Sequence, residues 1–169
     1  QELADKLEVS RTPEREALIH LHQEELVEII PQKGTYISKI NEQSVEEARY
    51  MREILEVEIT KLAIEAFPES YIFLLEENLP SQELYLKQKN YEKLFQYAND
   101  FHKIIYDGTN KMRIWESIQN ISGQLNRVRI MGLTLDSEEI WNLVYNEHKE
   151  IFNKIKNHEK EGLAEILIR

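Results

Sequence analysis

Apolar residues along the chain change their spacing once, near residue 41. Leu3, Ala4 and Leu7 stand at helical spacing with no cap ahead of them, so the pattern predicts that the chain is entered inside a helix and that further sequence precedes it. Ser10-Arg11-Thr12-Pro13 reads as a turn into a second helix, with Thr12 at the N-cap and Pro13 as the first helical residue. That helix is predicted to run to about Glu25 and to bury Ala17, Leu18 and Leu21. Val27, Ile29 and Ile30, the turn Pro31-Gln32-Lys33-Gly34, and Thr35-Tyr36-Ile37-Ser38 predict a β-ribbon. Two short helices and a hairpin with a Lys-Gly tip are the parts of a winged helix-turn-helix.

Beyond Asn41 the strand signals stop. Ser44 and Glu47 have the spacing of a capping box, and Val45, Ala48, Leu55, Ile59, Leu62 and Ala66 repeat on one helical face as far as Pro68. Further helices are predicted over roughly 69–87, interrupted or kinked at Pro80, then 90–107, 110–131, 136–157 and 159–169. The fold class that follows is mainly α. An N-terminal winged helix-turn-helix over residues 1–40, incomplete at its start, precedes an all-α antiparallel helical bundle over residues 41–169.

Composition supports this picture and narrows the chemistry. A hydrophobic content of 41% in 169 residues is enough for a sizeable core, and 5 Gly with 4 Pro favours helices. The chain has no cysteine, which removes disulfides, thiolate zinc sites and cysteine nucleophiles together and fits a reducing compartment; the cytoplasm is the expected location. No apolar run approaches the roughly 20 residues needed to cross a bilayer, so no membrane partner is expected.

Charge complicates the head. The whole chain carries −10, and residues 1–40 hold 5 Lys/Arg against 8 Asp/Glu. A nucleic-acid contact must therefore come from a few placed cations rather than a basic field. In a helix-turn-helix the second helix enters the major groove by its N-terminus, where Arg11 and Arg15 lie. Arginine can bond guanine O6 and N7 together, while Ser10, Thr12 and the first helical amides suit phosphate. Lys33 and Gly34 would let the wing approach the sugar-phosphate wall. On spacing alone, Arg11 and Arg15 read equally well as surface arginines.

The head resembles the GntR winged-helix signature. The resemblance is carried by Gln1-Glu2-Leu3-Ala4, Val9-Ser10-Arg11-Thr12-Pro13, Arg15-Glu16-Ala17-Leu18, Leu26-Val27-Glu28 and Lys33-Gly34-Thr35-Tyr36-Ile37. It implies a bacterial transcription regulator that binds double-stranded operator DNA as a homodimer, with Arg11, Thr12, Arg15, Lys33, Gly34 and Thr35 as contacts. It also implies a further helix ahead of the head. Two positions depart from the family pattern: Glu14 replaces an aliphatic residue, and Glu25 replaces a glycine that would end the helix well.

Residues 44–169 resemble the FCD effector domain of one GntR branch. Its markers here are Arg52 and Glu56, Phe101-His102 with Ile105 and the Gly-Thr-Asn turn, and Glu147-His148 with Ile151. The resemblance implies a dimerising domain that binds a small effector, expected to be a carboxylate, and a divalent metal such as zinc, nickel or manganese. His102 and His148 match two ligands of that metal. The family's Asp or Asn would fall on Ala98, and Asn99, one residue on, shares a helical face with His102. A final ligand is expected about one residue beyond Arg169.

Arg52, Arg127 and Arg129 are candidate partners for an anionic effector, and each is equally readable as one half of a surface ion pair. Trp115, Trp141, Tyr145 and Phe152 are expected in the core. His20, His22 and His158 are expected to face solvent or sit in turns. Two other functions fit parts of the sequence: a metal-dependent helical-bundle enzyme without assigned catalytic residues, and a helical interaction module whose acidic head has lost DNA binding.

Overall fold

A computed structural model describes residues 2–135 and 137–167 of the chain. The head contains α1 (Glu2–Lys6), α2 (Arg11–Gln23), β1 (Val27–Ile30) and β2 (Gly34–Ile37). The strands pair antiparallel in the register Val27↔Ile37 to Ile30↔Gly34, so the expected ribbon is present. Helix α2 begins one residue before the expected N-cap. Ser10 occupies that position in extended conformation, and Pro13 falls in the first turn, where an N–H is not needed for the helical ladder. The expected burial of Ala17 and Leu21 is not found: both are exposed and only Leu18 is half-buried, because two short helices and a ribbon enclose little volume.

The bundle contains α3 (Glu42–Glu65), α4 (Glu69–Lys87), α5 (Tyr91–Gly108), α6 (Met112–Ile121), α7 (Gly123–Leu135), α8 (Ser137–Asn157) and α9 (Leu163–Leu167). Helix α4 packs most extensively on α5 and then on α8, and α3 lies across α5, α7 and α8. Ile64, Leu75, Phe101, Ile105 and Ile151 meet at the centre, with Trp115 and Phe152 against them. Trp141 is buried in a second cluster with Leu94, and Tyr145 is half-buried.

Several boundaries differ from expectation, and α9 begins at Leu163 rather than at 159. The cap of α3 is Asn41, whose Oδ1 accepts from the amides of Gln43 and Ser44; the Ser44 hydroxyl instead donates to Glu25 Oε2 at 2.6 Å. Pro80 lies inside α4, which runs through it without a break. The helix expected over 110–131 is two helices. At their junction Ser122 is fully buried and turns its hydroxyl back to Ile118 O at 2.6 Å, closing α6, while its own carbonyl accepts from Asn126 in α7. Residues 136, 168 and 169, which end or begin other expected helices, lie outside the described residues. Among those described, no helix is long and apolar enough to cross a membrane.

Head and bundle are joined by a polar seam. The Glu25 carbonyl accepts from Ser38 Oγ and Gln124 Nε2, and Arg127 Nη1 donates to Ser38 O at 3.0 Å. A Cβ at Gly123 would stand 2.7 Å from Glu24 O, so a glycine lets α7 start against the end of α2.

Candidate functional site

In the head, Arg11, Thr12 and Arg15 all lie exposed in the first turns of α2, and the Ser10 side chain makes no capping hydrogen bond. The early amides of α2 are thereby left open to an anion. At the ribbon tip Lys33, Gly34 and Thr35 are exposed. Gly34 has φ +124 with no atom within 4 Å of a Cβ position, so backbone conformation and not packing calls for glycine.

Inside the bundle, five helices each bring polar side chains to one place: Arg52 and Glu56 from α3, Gln82 from α4, Asn99 and His102 from α5, Arg129 from α7, and His148 from α8. The two imidazoles are sealed in, His102 at 7% and His148 at 3% exposure. Their Nε2 atoms are 3.2 Å apart, and Phe101 stacks on His148 at 4.5 Å between centroids.

A chain of hydrogen bonds sets the tautomers, starting from a group that can only accept. Asn78 Nδ2 donates to the Tyr97 carbonyl at 3.1 Å, which turns Asn78 Oδ1 toward Gln82 Nε2 at 2.6 Å. Gln82 Oε1 is then left to accept from His148 Nδ1 at 2.7 Å. His148 Nε2 therefore carries a lone pair and accepts from His102 Nε2–H, leaving His102 Nδ1 unprotonated 3.7 Å from Glu56 Oε1. Burial pushes the pKa of both histidines well below the ordinary value of 6.5. For His102 the Arg52 and Arg129 charges add to this, and for His148 the His102 ring does, so both stay neutral.

Two guanidiniums flank the pair. Arg52 Nε and Nη2 both reach Glu56 Oε1 at 2.7 Å. Arg129 Nη1 donates to Asn99 Oδ1 and Asn126 Oδ1, each at 3.1 Å, and its Cζ lies 4.7 Å over the Phe95 ring. Burial, and then repulsion from Arg52, push Arg129 down to about 9. Among the side chains gathered here the formal charges are two cations and one carboxylate. Trp141 Nε1, in the cluster that includes Phe95, and Tyr106 Oη are buried with no hydrogen-bond partner among the described residues.

The expected effector and metal residues are thus only partly brought together. Arg52 and Arg129 face the histidines, whereas Arg127 lies at the seam, on Ser38. As a metal centre the donor set falls short. Two imidazole nitrogens stand at the edge length of a coordination polyhedron, but Asn99 is engaged by Arg129, Glu56 is engaged by Arg52, and two guanidiniums oppose a further cation. Among the described residues, no group of three His, Cys, Asp or Glu is arranged to hold a metal ion.

Sequence reading missed Asn78, Gln82 and Asn126. A signal for the first two exists: they interrupt the buried face Leu75, Leu79 of α4 at i, i+4 spacing, as bonded core polars do. The remaining histidines behave as expected. His20 and His22 are exposed, and His158, in a turn at φ +58, bonds Ile64 O through Nδ1 at 2.6 Å.

Comparison with known proteins agrees with both halves of the architecture. Residues 1–37 match the family described as bacterial regulatory proteins, gntR family, and residues 47–169 match the FCD domain. The HTH-type transcriptional repressor RspR of Escherichia coli K12 is 27% identical over 163 residues, covering 96% of this chain and 71% of that protein. An HTH-type transcriptional regulator in an unstable DNA locus of Streptomyces ambofaciens is 32% identical over 156 residues, covering 91% of this chain and 64% of its own length. Among solved structures, E. coli McbR/YncC superposes with a TM-score of 0.79 at 21% identity, covering 98% of this chain and 78% of that one. The chain is a member of the GntR family of DNA-binding bacterial transcription regulators, and its helical part is an FCD domain.

Proposed function

We propose that this regulator responds to a small carboxylate that enters the bundle at Arg129 and alters how the head is held on operator DNA. The observation that carries this reading is the surplus positive charge beside His102 and His148. Arg52 is bonded directly by Glu56, whereas among the described residues Arg129 is contacted by amide oxygens and a ring face and feels the Glu56 charge only through space. Burial of a cation without a bonded carboxylate is costly. A carboxylate on Arg129 would offset that cost and could accept from Trp141 Nε1. Sugar acids, simple carboxylic acids and amino acids all have this chemistry.

Transmission follows from α7. This helix carries Asn126 and Arg129 toward the buried site and Gln124 and Arg127 toward Ser38 and Glu25 at the seam. A ligand that withdraws Arg129 from Asn99 favours one setting of α7, and the coupling equals the ligand's preference for that setting. In the head, Ser10, Arg11, Thr12 and Arg15 read and clamp one half-site while Lys33, Gly34 and Thr35 flank it; two copies bind a two-fold operator.

Calorimetry with a panel of carboxylates tests the effector site: one member should bind the native chain and lose at least tenfold in affinity to Arg129→Gln. Equal binding to both chains refutes the assignment. Gel-shift with a palindromic operator pool tests the head, and the absence of any shift at low salt would favour an interaction module. A second reading places a divalent ion on His102, His148 and Asn99. The 3.2 Å separation of the Nε2 atoms supports it. Stoichiometric metal that is lost in His102→Ala and His148→Ala would establish it.

A further inference from the structure

Where the head meets the bundle, two separate parts of the head end on one turn of α7. Glu25, at φ +58, leaves the ladder of α2, and its carbonyl accepts from Ser38 Oγ and Gln124 Nε2. Ser38, one residue past β2, is buried. Its hydroxyl gives its one proton to Glu25 and accepts from Gln124 Nε2 at 3.2 Å and Arg127 Nη1 at 3.1 Å, so each bonding position of that oxygen is taken. Arg127 also donates to the Ser38 carbonyl. Gln124 and Arg127 stand at i, i+3 on α7 and so share a face. One turn of the bundle thus grips the end of the helix that carries Arg11 and Arg15 and the end of the strand that carries the wing.

The rest of the head does little to fix its own placement. Helix α2 buries none of its residues, and the covalent passage from β2 to α3 is the short stretch 38–41, whose backbone dihedrals are soft. Apolar contact would not define an angle, because it is non-directional. A hydrogen bond weakens steeply as it bends, so several of them meeting at Ser38 and Glu25 define a direction. Small errors there are magnified along α2, which runs for about 20 Å at the helical rise of 1.5 Å per residue. A tilt of about 10° at the seam moves Arg11 by roughly 3.5 Å, close to the 3.4 Å of one base-pair step.

We propose that Gln124 and Arg127 are positioning residues for DNA binding: without touching DNA, they set the angle of α2 and the wing on the bundle, and thereby the half-site spacing that a two-headed complex accepts. This assignment rests on the reading of the head as one half of a two-fold DNA clamp and is independent of the effector at Arg129. Two heads held at the right separation bind more tightly than one, and that gain vanishes where geometry forbids both contacts together.

Fluorescence anisotropy with the full chain tests this on an operator that the native protein selects from a random double-stranded pool. The same operator is lengthened and shortened between its half-sites by one and two base pairs, and a single half-site serves as a further probe. Native protein should lose at least about tenfold in affinity on a two-base-pair change. Arg127→Met should bind the single half-site within about twofold of native, yet distinguish the spacings by less than about threefold. Gln124→Met should relax the spacing in the same direction, and Arg127→Lys, which keeps a donor for Ser38, should restore part of the discrimination. The salt dependence of half-site binding should match native, since loss of one phosphate contact would lower the slope by about 0.9. Native spacing discrimination in both methionine variants would overturn the proposal and leave the DNA-binding reading intact. A weakened half-site or a shallower salt slope in Arg127→Met would make Arg127 a DNA contact or a support of the head's fold, and would overturn it equally. No binding of the native chain to any member of the pool would remove both readings.

Discussion

Helix α2 of the head buries none of its 13 residues, whereas α3 of the bundle buries Ala48, Arg52, Glu56, Val57, Ile59, Thr60, Ala63 and Ile64. The two regions also place their functional groups differently. The proposed DNA face is local in sequence: Arg11 to Arg15 share a helix start, and Lys33 to Thr35 share one turn. The buried site draws on α3, α4, α5, α7 and α8, with polar groups that fold into place only because each has a partner. A surface that must meet phosphate can be built from short exposed segments. A buried polar cluster needs a dry, crowded interior around it, and that interior also supplies most of the stability.

The largest expected effect separates the two regions by stability. Phe101, fully buried and stacked on His148, should cost about 3–5 kcal/mol when changed to alanine. Ile37→Ala in the ribbon, where the side chain is 81% exposed, should stay within about 0.5 kcal/mol. Urea unfolding measures both, and similar costs would break the comparison.

Next in size is a contrast in binding. Arg15→Ala should weaken operator affinity by about 1–3 kcal/mol, roughly 5- to 150-fold, in a fluorescence anisotropy titration. Arg129→Gln should leave the affinity of the ligand-free protein within about twofold, because its surroundings are interior to the bundle. A comparable loss in both would mean that the buried site shapes the DNA face even without effector.

The histidine pair gives the bundle a pH dependence. Both folded-state pKa values lie below the ordinary 6.5, so the unfolded chain binds more protons than the folded one as pH falls past that value. The pair's contribution is fully present above about 6.5 and is lost toward acid, with a limiting slope of about 1.4 kcal/mol per pH unit for each histidine. The groups acting on the pair are Arg52 and Arg129, which oppose protonation, and Glu56, which favours it on His148. Denaturation at pH 7.5 and 5.5 should show His148→Gln less pH-dependent than the native chain; an unchanged difference would mean that the pair is already protonated.

The smallest effect concerns Glu25. Its amide and that of Leu26 bond back to His22 O and Leu21 O, the pattern of a helix end that places a left-handed residue at position 25, and Glu25 has φ +58 there. A side chain in that conformation costs about 1 kcal/mol, so Glu25→Gly should stabilise the chain by about that much in thermal unfolding. A loss of stability would show that the Ser44–Glu25 hydrogen bond outweighs the backbone strain.

Some of this was legible in the order of residues. The change from short alternating segments to long helical periods divides ribbon from bundle, because a strand repeats every two residues and a helix every 3.6. The motif around Arg11 and the Lys-Gly turn could be read directly, since a turn or helix start is specified by neighbours in sequence. His102 and His148 could be marked as candidates for the same reason. The break at Ser122 could not, because a serine followed by glycine is tolerated within a helix and only burial of the hydroxyl against Ile118 closes one helix there. Nor could the separation of Arg127 from Arg129, two residues apart on one helix yet turned to different neighbours.

By itself, then, the sequence determined the family, the mainly helical architecture and the exposed cations of the head, all of which rest on local spacing. Tertiary structure alone decided that His102 meets His148, that Asn78 and Gln82 orient them, that Arg129 and not Arg127 stands beside them, and that Gln124 bonds the Glu25 carbonyl at the seam. These depend on which helix faces cross, and a crossing is set by packing over the whole bundle rather than by any short stretch of chain.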